Sequence, residues 1–135
     1  MKYDFSGHGK ESAYKFEFPE GDSWVAQSAT IHPEVVLPPR VTIGSDSVVP
    51  FGTKLGSGVE LGNRVKLGNG VTLGAGATLY DDVTLGNDVT LGYGVVLSSH
   101  VNVDSGVSLP PKTEIEWGTH VTRKMAREMW PDLNK

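Results

Sequence analysis

The 135-residue sequence contains no cysteine, which excludes disulfide bridges and zinc sites with thiolate ligands. Basic residues are also few, because 12 Lys and Arg stand against 16 Asp and Glu and leave a formal net charge of −4. Nucleic-acid-binding domains usually carry a clustered basic surface, so we expect no nucleic-acid partner. No apolar run approaches the roughly 18 residues that span a bilayer, so we expect no membrane partner either.

Familiar catalytic motifs are absent as well. The sequence has no Walker loop, no Gly-x-Ser-x-Gly elbow and no His-Glu-x-x-His pair. The first 18 residues, MKYDFSGHGKESAYKFEF, are too polar for the apolar segment of a secretory signal. We therefore expect a cytoplasmic protein whose activity no short motif identifies.

What the sequence has in excess is glycine, with 17 residues, and a strict six-residue period. Counting by sixes gives fifteen successive aliphatic positions: Ile31, Leu37, Ile43, Val49, Leu55, Leu61, Leu67, Leu73, Leu79, Leu85, Leu91, Leu97, Val103, Leu109 and Ile115. A second column lies two residues before each of these, from Ala29 to Thr113, and ten of its fifteen members are Val. The register never shifts over this region.

This pattern predicts very short β-strands joined by turns. Two apolar residues spaced by two place both side chains on one face of a strand, and the polar residue between them points away. Glycines at fixed places after each pair indicate turns, or a close approach between neighbouring coils. A six-residue repeat without a helical signal is typical of a parallel β-helix, in which each coil stacks on the previous one and the ends need caps.

The repeat VTLGND resembles the hexapeptide-repeat, left-handed β-helix family, whose best-known members are acyltransferases. The resemblance covers about residues 29–117. It implies an all-β fold: a single-stranded, left-handed parallel β-helix shaped as a triangular prism, with three hexapeptides in each coil and about five coils. We accordingly divide the chain, as one domain, into an N-terminal cap (1–28), the β-helix (29–117) and a C-terminal helix and tail (118–135).

The N-terminal segment lacks the period. Tyr14, Phe16 and Phe18 alternate with charged residues, which predicts a half-buried strand, and Tyr3 and Phe5 suggest the other arm of a hairpin. We interpret this segment as a β cap over the first coil. The alternative is an edge that binds a partner, because aromatic strands at an open sheet edge invite pairing.

The C-terminal segment predicts a short α-helix. Thr119 is the expected N-cap, and Val121, Met125 and Met129 would form one apolar stripe that ends before Pro131. The stripe would pack on the last coil or on a neighbouring subunit.

Stacking the turns by 18 residues brings chemically capable side chains to one corner. One column reads Asp46, Arg64, Asp82 and His100. The resemblance implies that a histidine at such an edge removes a proton from a hydroxyl or amine acceptor, while acetyl-CoA or another acyl-CoA lies between two subunits of a homotrimer. On that basis we predict His100 and Asp82 as catalytic residues. Ser98, Ser99, Tyr80 and Arg64 are the predicted contacts to the substrate or the oxyanion.

Other interpretations stay open, including whether the protein is an enzyme at all. A histidine above an aspartate at a solvated corner is commonly a surface ion pair. The acyltransferases usually interrupt the prism with a protruding loop, and no interruption occurs between residues 31 and 115. A non-catalytic, rigid β-helix that serves as a structural or partner-binding module is therefore the alternative. The γ-class carbonic anhydrases use the same prism with a three-histidine metal site, but His8, His32, His100 and His120 lack that spacing, so we expect no metal.

Overall fold

The computed structural model describes residues 2–5 and 11–135, with side chains from Ala13 onward. The strands are β1 (Lys2–Phe5), β2 (Glu11–Phe16), β3 (Ser23–Ala26), β4 (Thr30–Ile31), β5 (Thr42–Ile43), β6 (Val48–Val49), β7 (Lys54–Leu55), β8 (Glu60–Leu61), β9 (Lys66–Leu67), β10 (Thr72–Leu73), β11 (Thr78–Leu79), β12 (Thr84–Leu85), β13 (Thr90–Leu91), β14 (Val96–Leu97), β15 (Asn102–Val103), β16 (Ser108–Leu109), β17 (Glu114–Ile115) and β18 (His120–Val121). One helix, α1 (Arg123–Met129), follows.

Three sheets form the sides of a parallel β-helix. Sheet A has the order β1-β2-β3-β5-β8-β11-β14-β17, sheet B β18-β15-β12-β9-β6-β4 and sheet C β16-β13-β10-β7. Strands of neighbouring coils pair in parallel with an offset of 18 residues, as Thr72 with Thr90 and Leu73 with Leu91. The predicted stack of coils with three hexapeptides each is confirmed.

The two apolar columns form the core. Val71 and Leu73, for example, are 0% and 1% exposed, and the intervening Thr72 lies on the outer face. Burial is incomplete only near the ends, where Ile31, Leu37, Leu55 and Ile115 are partly buried and pack against the core. The six-residue period also continues one step beyond each end of the predicted column, because Val25 and Val121 occupy inward positions and are buried.

At the N-terminus, β1 and β2 form the expected antiparallel pair, and β2 joins sheet A through β3. Tyr14 pairs with Val25 and Phe16 with Ser23, so both aromatic residues lie on the inward side of sheet A. They remain 40% and 42% exposed. The hairpin therefore extends sheet A past the first coil and only partly covers its aromatic residues.

The C-terminal prediction was wrong in its details. His120 and Val121 belong to β18 rather than to the helix, and Val121 is 0% exposed as an inward residue of the repeat. The N-cap is Thr122 instead of Thr119, since its hydroxyl accepts a hydrogen bond from the Met125 N–H at 3.0 Å. The β-helix continues for one more strand, β18, before α1 begins. The helix therefore starts three residues later than predicted.

The predicted Met stripe does not form either. Ala126 is the buried residue of α1, Met125 is partly buried against the core, and Met129 is 59% exposed. A small residue, Ala126, rather than Met129 makes the buried contact of this helix.

Candidate functional site

Four charged or titratable residues stack at the corner between sheets A and B. Asp46, Arg64, Asp82 and His100 occupy the same turn position in successive coils, and all four have positive φ angles, from 58° to 65°. The coils are tied together here by backbone hydrogen bonds, such as His100 N–H to the Asp81 carbonyl at 3.0 Å. This turn position is glycine in many other repeats, so at this corner Asp, Arg and His residues adopt a conformation that favours glycine.

Arg64 and Asp82 form a bidentate ion pair. Arg64 Nε lies 2.7 Å from Asp82 Oδ1, and Nη2 lies 3.0 Å from Oδ2. The hydrogen bond from Arg64 is the main reason that the pKa of Asp82 lies below its ordinary value; partial burial opposes this shift. Asp82 is therefore held as a carboxylate with Arg64 as its direct partner.

His100 is adjacent to this pair without a hydrogen bond to it. Its Nε2 lies 3.7 Å from Asp82 Oδ2, which is within ion-pair range but too long for a hydrogen bond. On its other side the imidazole contacts the Trp117 ring, with centroids 5.0 Å apart and planes inclined by 56°. The side chain of His100 is 52% exposed, so its imidazole is accessible from solvent.

The other predicted contacts lie at the same corner. Ser98 and Ser99 are partly buried and directly precede His100, and Tyr80 lies in the turn one coil below with 52% of its surface exposed. The structure thus gathers all six predicted site residues at one corner. It does not enclose them, because the prism surface at this edge is convex and His100 stands on it.

A shallow, open groove of about 450 Å³ lies on the adjoining outer face of sheet A. Its walls include Trp24 near the first coil and Tyr80 three coils further along, with Glu60 between them. Asn63 and Asp81 line the groove on the corner side, whereas His100 is not part of its lining. The groove and His100 therefore share the corner but occupy different coils.

Asn63 and Asp81 are structural rather than free polar groups. Asn63 Oδ1 accepts a hydrogen bond from the Ser45 N–H, and Asp81 Oδ1 accepts one from the Asn63 N–H, both at 2.8 Å. Each side chain therefore bonds the backbone of the equivalent residue one coil below. The same arrangement joins Asn87 to Asn69 at another corner, so part of the polar character of these edges holds the coils together.

The structure contains a histidine–carboxylate pair that the sequence analysis missed. His120 Nε2 lies 2.7 Å from Asp104 Oδ1, and this contact is the main reason that the pKa of Asp104 is lowered. His120 was assigned to a helix, which hid its position on the outer face of sheet B, one coil above Asn102. The continuation of the period to Val121 is the signal that would have revealed it.

The histidines do not assemble into a metal site in the described part of the chain, where no group of three or more potential ligands occurs. His32 lies at another corner, where its Nδ1 accepts a hydrogen bond from the Glu34 N–H at 3.1 Å and its ring contacts Phe51. His8 lies outside the described residues.

Among residues 2–5 and 11–135, no helix has the length and apolar character needed to cross a bilayer.

Comparisons with known proteins agree with this architecture. Residues 64–99 match the family model for the bacterial transferase hexapeptide (six repeats), and residues 39–75 match the hexapeptide repeat of succinyl-transferase. A search of curated proteins found no match.

Two solved structures illustrate the structural likeness. A hexapeptide transferase family protein from Anaplasma phagocytophilum is 20% identical, with 77% of this chain and 72% of that chain covered and a TM-score of 0.46. The H141N mutant of perosamine N-acetyltransferase from Caulobacter crescentus, in complex with CoA and GDP-perosamine, is 19% identical. That match covers 73% of this chain and 50% of the other, with a TM-score of 0.45.

The in-phase repeat and the three stacked parallel sheets agree with the two family models, which together match residues 39–99. The chain carries hexapeptide repeats that are similar to those of the bacterial, acyltransferase-like hexapeptide transferases.

Proposed function

We propose that this protein transfers an acyl group, acetyl in the simplest case, from a CoA thioester to a hydroxyl or amine acceptor at an edge between subunits of a homotrimer. The observation that carries the proposal is the stack of Arg64, Asp82 and His100 on one corner of a transferase-type repeat. It is the corner where an ionised carboxylate, an exposed imidazole and an aromatic ring meet.

His100 acts as the general base. The acceptor oxygen or nitrogen attacks the thioester carbonyl while a neutral imidazole nitrogen of His100 takes its proton. The tetrahedral intermediate then collapses, the carbon–sulfur bond breaks, and the departing CoA thiolate takes up the proton from the imidazolium. The products are the acylated acceptor and CoA, and the histidine returns to its starting state.

Asp82 and Arg64 position and balance the base. The Asp82 carboxylate, 3.7 Å from His100, stabilises the imidazolium through charge, while Arg64 fixes the orientation of that carboxylate. Trp117 restricts the imidazole from the opposite side. Ser98, Ser99 and Tyr80 supply hydroxyl groups at the same corner for the substrate or the oxyanion.

A second subunit is part of the proposal because His100 stands half-exposed on a convex edge. A neighbouring prism packed along this corner would convert the edge and the open groove of sheet A into an enclosed cleft. Light scattering should accordingly give about three times the chain mass of 14.5 kDa. A monomer would contradict the intersubunit site. The need for CoA thioesters agrees with the cytoplasmic location expected from the sequence.

The alternative function is a non-catalytic β-helix that acts as a structural or partner-binding module. It is favoured by the hydrogen bonds that Arg64, Asn63 and Asp81 make between coils, since these give the polar corner a purely structural use. The coils also continue from β3 to β18 with no protruding loop among the repeats.

Transfer assays on histidine variants distinguish these functions and the two histidine–carboxylate pairs. CoA release from acetyl-CoA is measured with a panel of amines and alcohols, using the parent protein, His100→Asn and His120→Asn. Asparagine suits the positive φ of 65° at residue 100 and cannot act as the base. We expect His100→Asn to release CoA about 10²- to 10⁴-fold more slowly than the parent. The rate of His120→Asn should stay within about threefold of the parent rate.

If His120→Asn instead loses activity and His100→Asn keeps it, the general base is His120, with Asp104 as its partner. If no thioester is consumed with any acceptor, and millimolar CoA leaves the melting temperature of the parent unchanged, the non-catalytic function replaces the enzymatic one. Circular dichroism of each variant serves as the control for folding.

A further inference from the structure

The groove on sheet A follows one column of outward-facing residues. Thr42 pairs with Trp24 in β3 and with Glu60 in β8, and Glu60 pairs in turn with Thr78 in β11. Neighbouring strands of a sheet lie about 4.8 Å apart, so this column spans roughly 14 Å from Trp24 to Thr78. All four residues line the groove, whose volume is about 450 Å³. This volume suits a small, elongated ligand.

Glycine shapes the side of the groove that adjoins the corner. The residue directly after the strand is Gly44 after β5, Gly62 after β8 and Tyr80 after β11, and all three line the groove. The two glycines place no side chain there, whereas the Tyr80 side chain is 52% exposed. Trp24 lies at the opposite end of the groove. The groove therefore has an aromatic residue at each end and two positions without a side chain between them.

Glu60 gives the middle of the groove a negative charge. Among the described residues, none forms a hydrogen bond or an ion pair with its carboxylate. Asp81 adds a second carboxylate on the corner side, where its Oδ1 accepts the hydrogen bond from the Asn63 N–H. No Lys, Arg or His occurs among the lining residues in the described part of the chain. The charge of the groove therefore favours a cation over an anion.

Basic residues next to the groove have other partners. Lys15 is paired with Trp24 across β2 and β3, and its Nζ lies 3.5 Å from Asp22 Oδ2 and 5.5 Å from the centroid of the Trp24 ring. Arg64, at the neighbouring corner, binds Asp82. Neither cation is paired with a carboxylate of the groove. The position of Lys15 also shows that the Trp24 ring accepts a cation.

We propose that this groove binds a small organic cation, with an ammonium group at Glu60 and an apolar body between the Trp24 and Tyr80 rings. The hydroxyl groups of Thr42 and Thr78, on either side of Glu60 in the column, are further acceptors for the ammonium N–H groups. The aromatic rings offer apolar contact area together with cation–π attraction. The inference is independent of acyl transfer, because Glu60 and Trp24 have no part in the proposed reaction.

Three probes of similar size and different charge test this site: cationic phenethylamine, neutral 2-phenylethanol and anionic 3-phenylpropionate, all at neutral pH. NMR follows the backbone amides of Thr42 and Thr78 and the indole N–H of Trp24 during each titration, with no CoA compound present. The variant is Glu60→Gln. The matched control is Glu114→Gln, which removes the same charge from the outer face of sheet A at a position that does not line the groove. Circular dichroism verifies the fold of both variants.

We expect phenethylamine to shift these resonances to saturation with a dissociation constant of about 1–10 mM, because the probe is small and the groove is open. Glu60→Gln should raise this constant about three- to fivefold, as expected for the loss of one exposed ion pair, and Glu114→Gln should match the parent. By the same reasoning 2-phenylethanol should bind the parent about three- to fivefold more weakly than phenethylamine, and 3-phenylpropionate about tenfold more weakly or less tightly still.

Equal affinity of the parent for phenethylamine and 2-phenylethanol would overturn the proposal, because the groove would then be an apolar surface without selectivity for charge. Equal losses in Glu60→Gln and Glu114→Gln would also overturn it, since the attraction would then come from the net charge of the protein. So would the absence of a saturable shift with phenethylamine. The comparison of the three probes uses the parent alone, so it decides the proposal even if a variant does not fold. No outcome involves a thioester, so failure here is distinct from failure of the proposed acyl transfer.

Discussion

Gly74 and Gly76 lie two residues apart in one turn, yet an added methyl group destabilises the fold for a different reason at each position. A Cβ at Gly74 would lie 2.5 Å from the Tyr93 nitrogen and 2.6 Å from the Gly92 carbonyl carbon, both backbone atoms of the next coil. A Cβ at Gly76 would have nothing within 4 Å, but φ there is +72°. Gly74→Ala therefore tests contact between coils, and Gly76→Ala tests backbone conformation.

The expected losses follow from these two causes. Relieving contacts of 2.5 Å requires the coils to separate by about 1 Å at a hydrogen-bonded corner, and overpacking of this kind costs about 3 kcal/mol or more. A left-handed alanine costs about 1 kcal/mol. The difference of about 2 kcal/mol corresponds to roughly 8 °C in melting temperature for a domain of this size.

Thermal unfolding of the two variants and the parent, followed by circular dichroism under identical buffer conditions, measures this difference. Both variants replace glycine by alanine, so each serves as the composition control for the other. Equal melting temperatures, or a lower value for Gly76→Ala, would refute the close packing of neighbouring coils at Gly74. They would also refute the conclusion that this position needs glycine because the next coil approaches it.

Two further predictions concern the core and the ion pair. Leu73→Asp places a carboxylate where the leucine is 1% exposed, and we expect a loss of roughly 3–5 kcal/mol in urea titrations; a midpoint equal to that of the parent would contradict the inward position of this column. Because Arg64 lowers the pKa of Asp82, their pair contributes stability above the ordinary carboxyl pKa of about 4 and loses it as the pH falls through the lowered folded value. Asp82→Asn should therefore show a smaller drop in melting temperature on acidification below about pH 4 than the parent, and an identical acid limb would show that the pair does not form in solution.

The repeat made much of the fold predictable. Val71 and Leu73 are spaced by two within a period of six, and this spacing alone assigns them to the interior of a short strand. The offset of 18 residues rests on three hexapeptides in each coil, which the resemblance to the hexapeptide-repeat family implies. Together with the period it places Arg64, Asp82 and His100 in one column. The family models support the repeat, and the roles of these residues in catalysis stay predictions.

The sequence by itself determined which side chains share a column, because every coil repeats the same translation and needs no distant partner to define it. Only the tertiary structure decided which neighbouring side chains form hydrogen bonds with each other. Asp82 binds Arg64 rather than His100, and His120 binds Asp104. Outside the repeat the period carries no information, so the pairing of Asn134 with Ser108 is set by how the tail folds onto the last coil. Such contacts depend on the complete surface of the finished prism, and no local pattern encodes them.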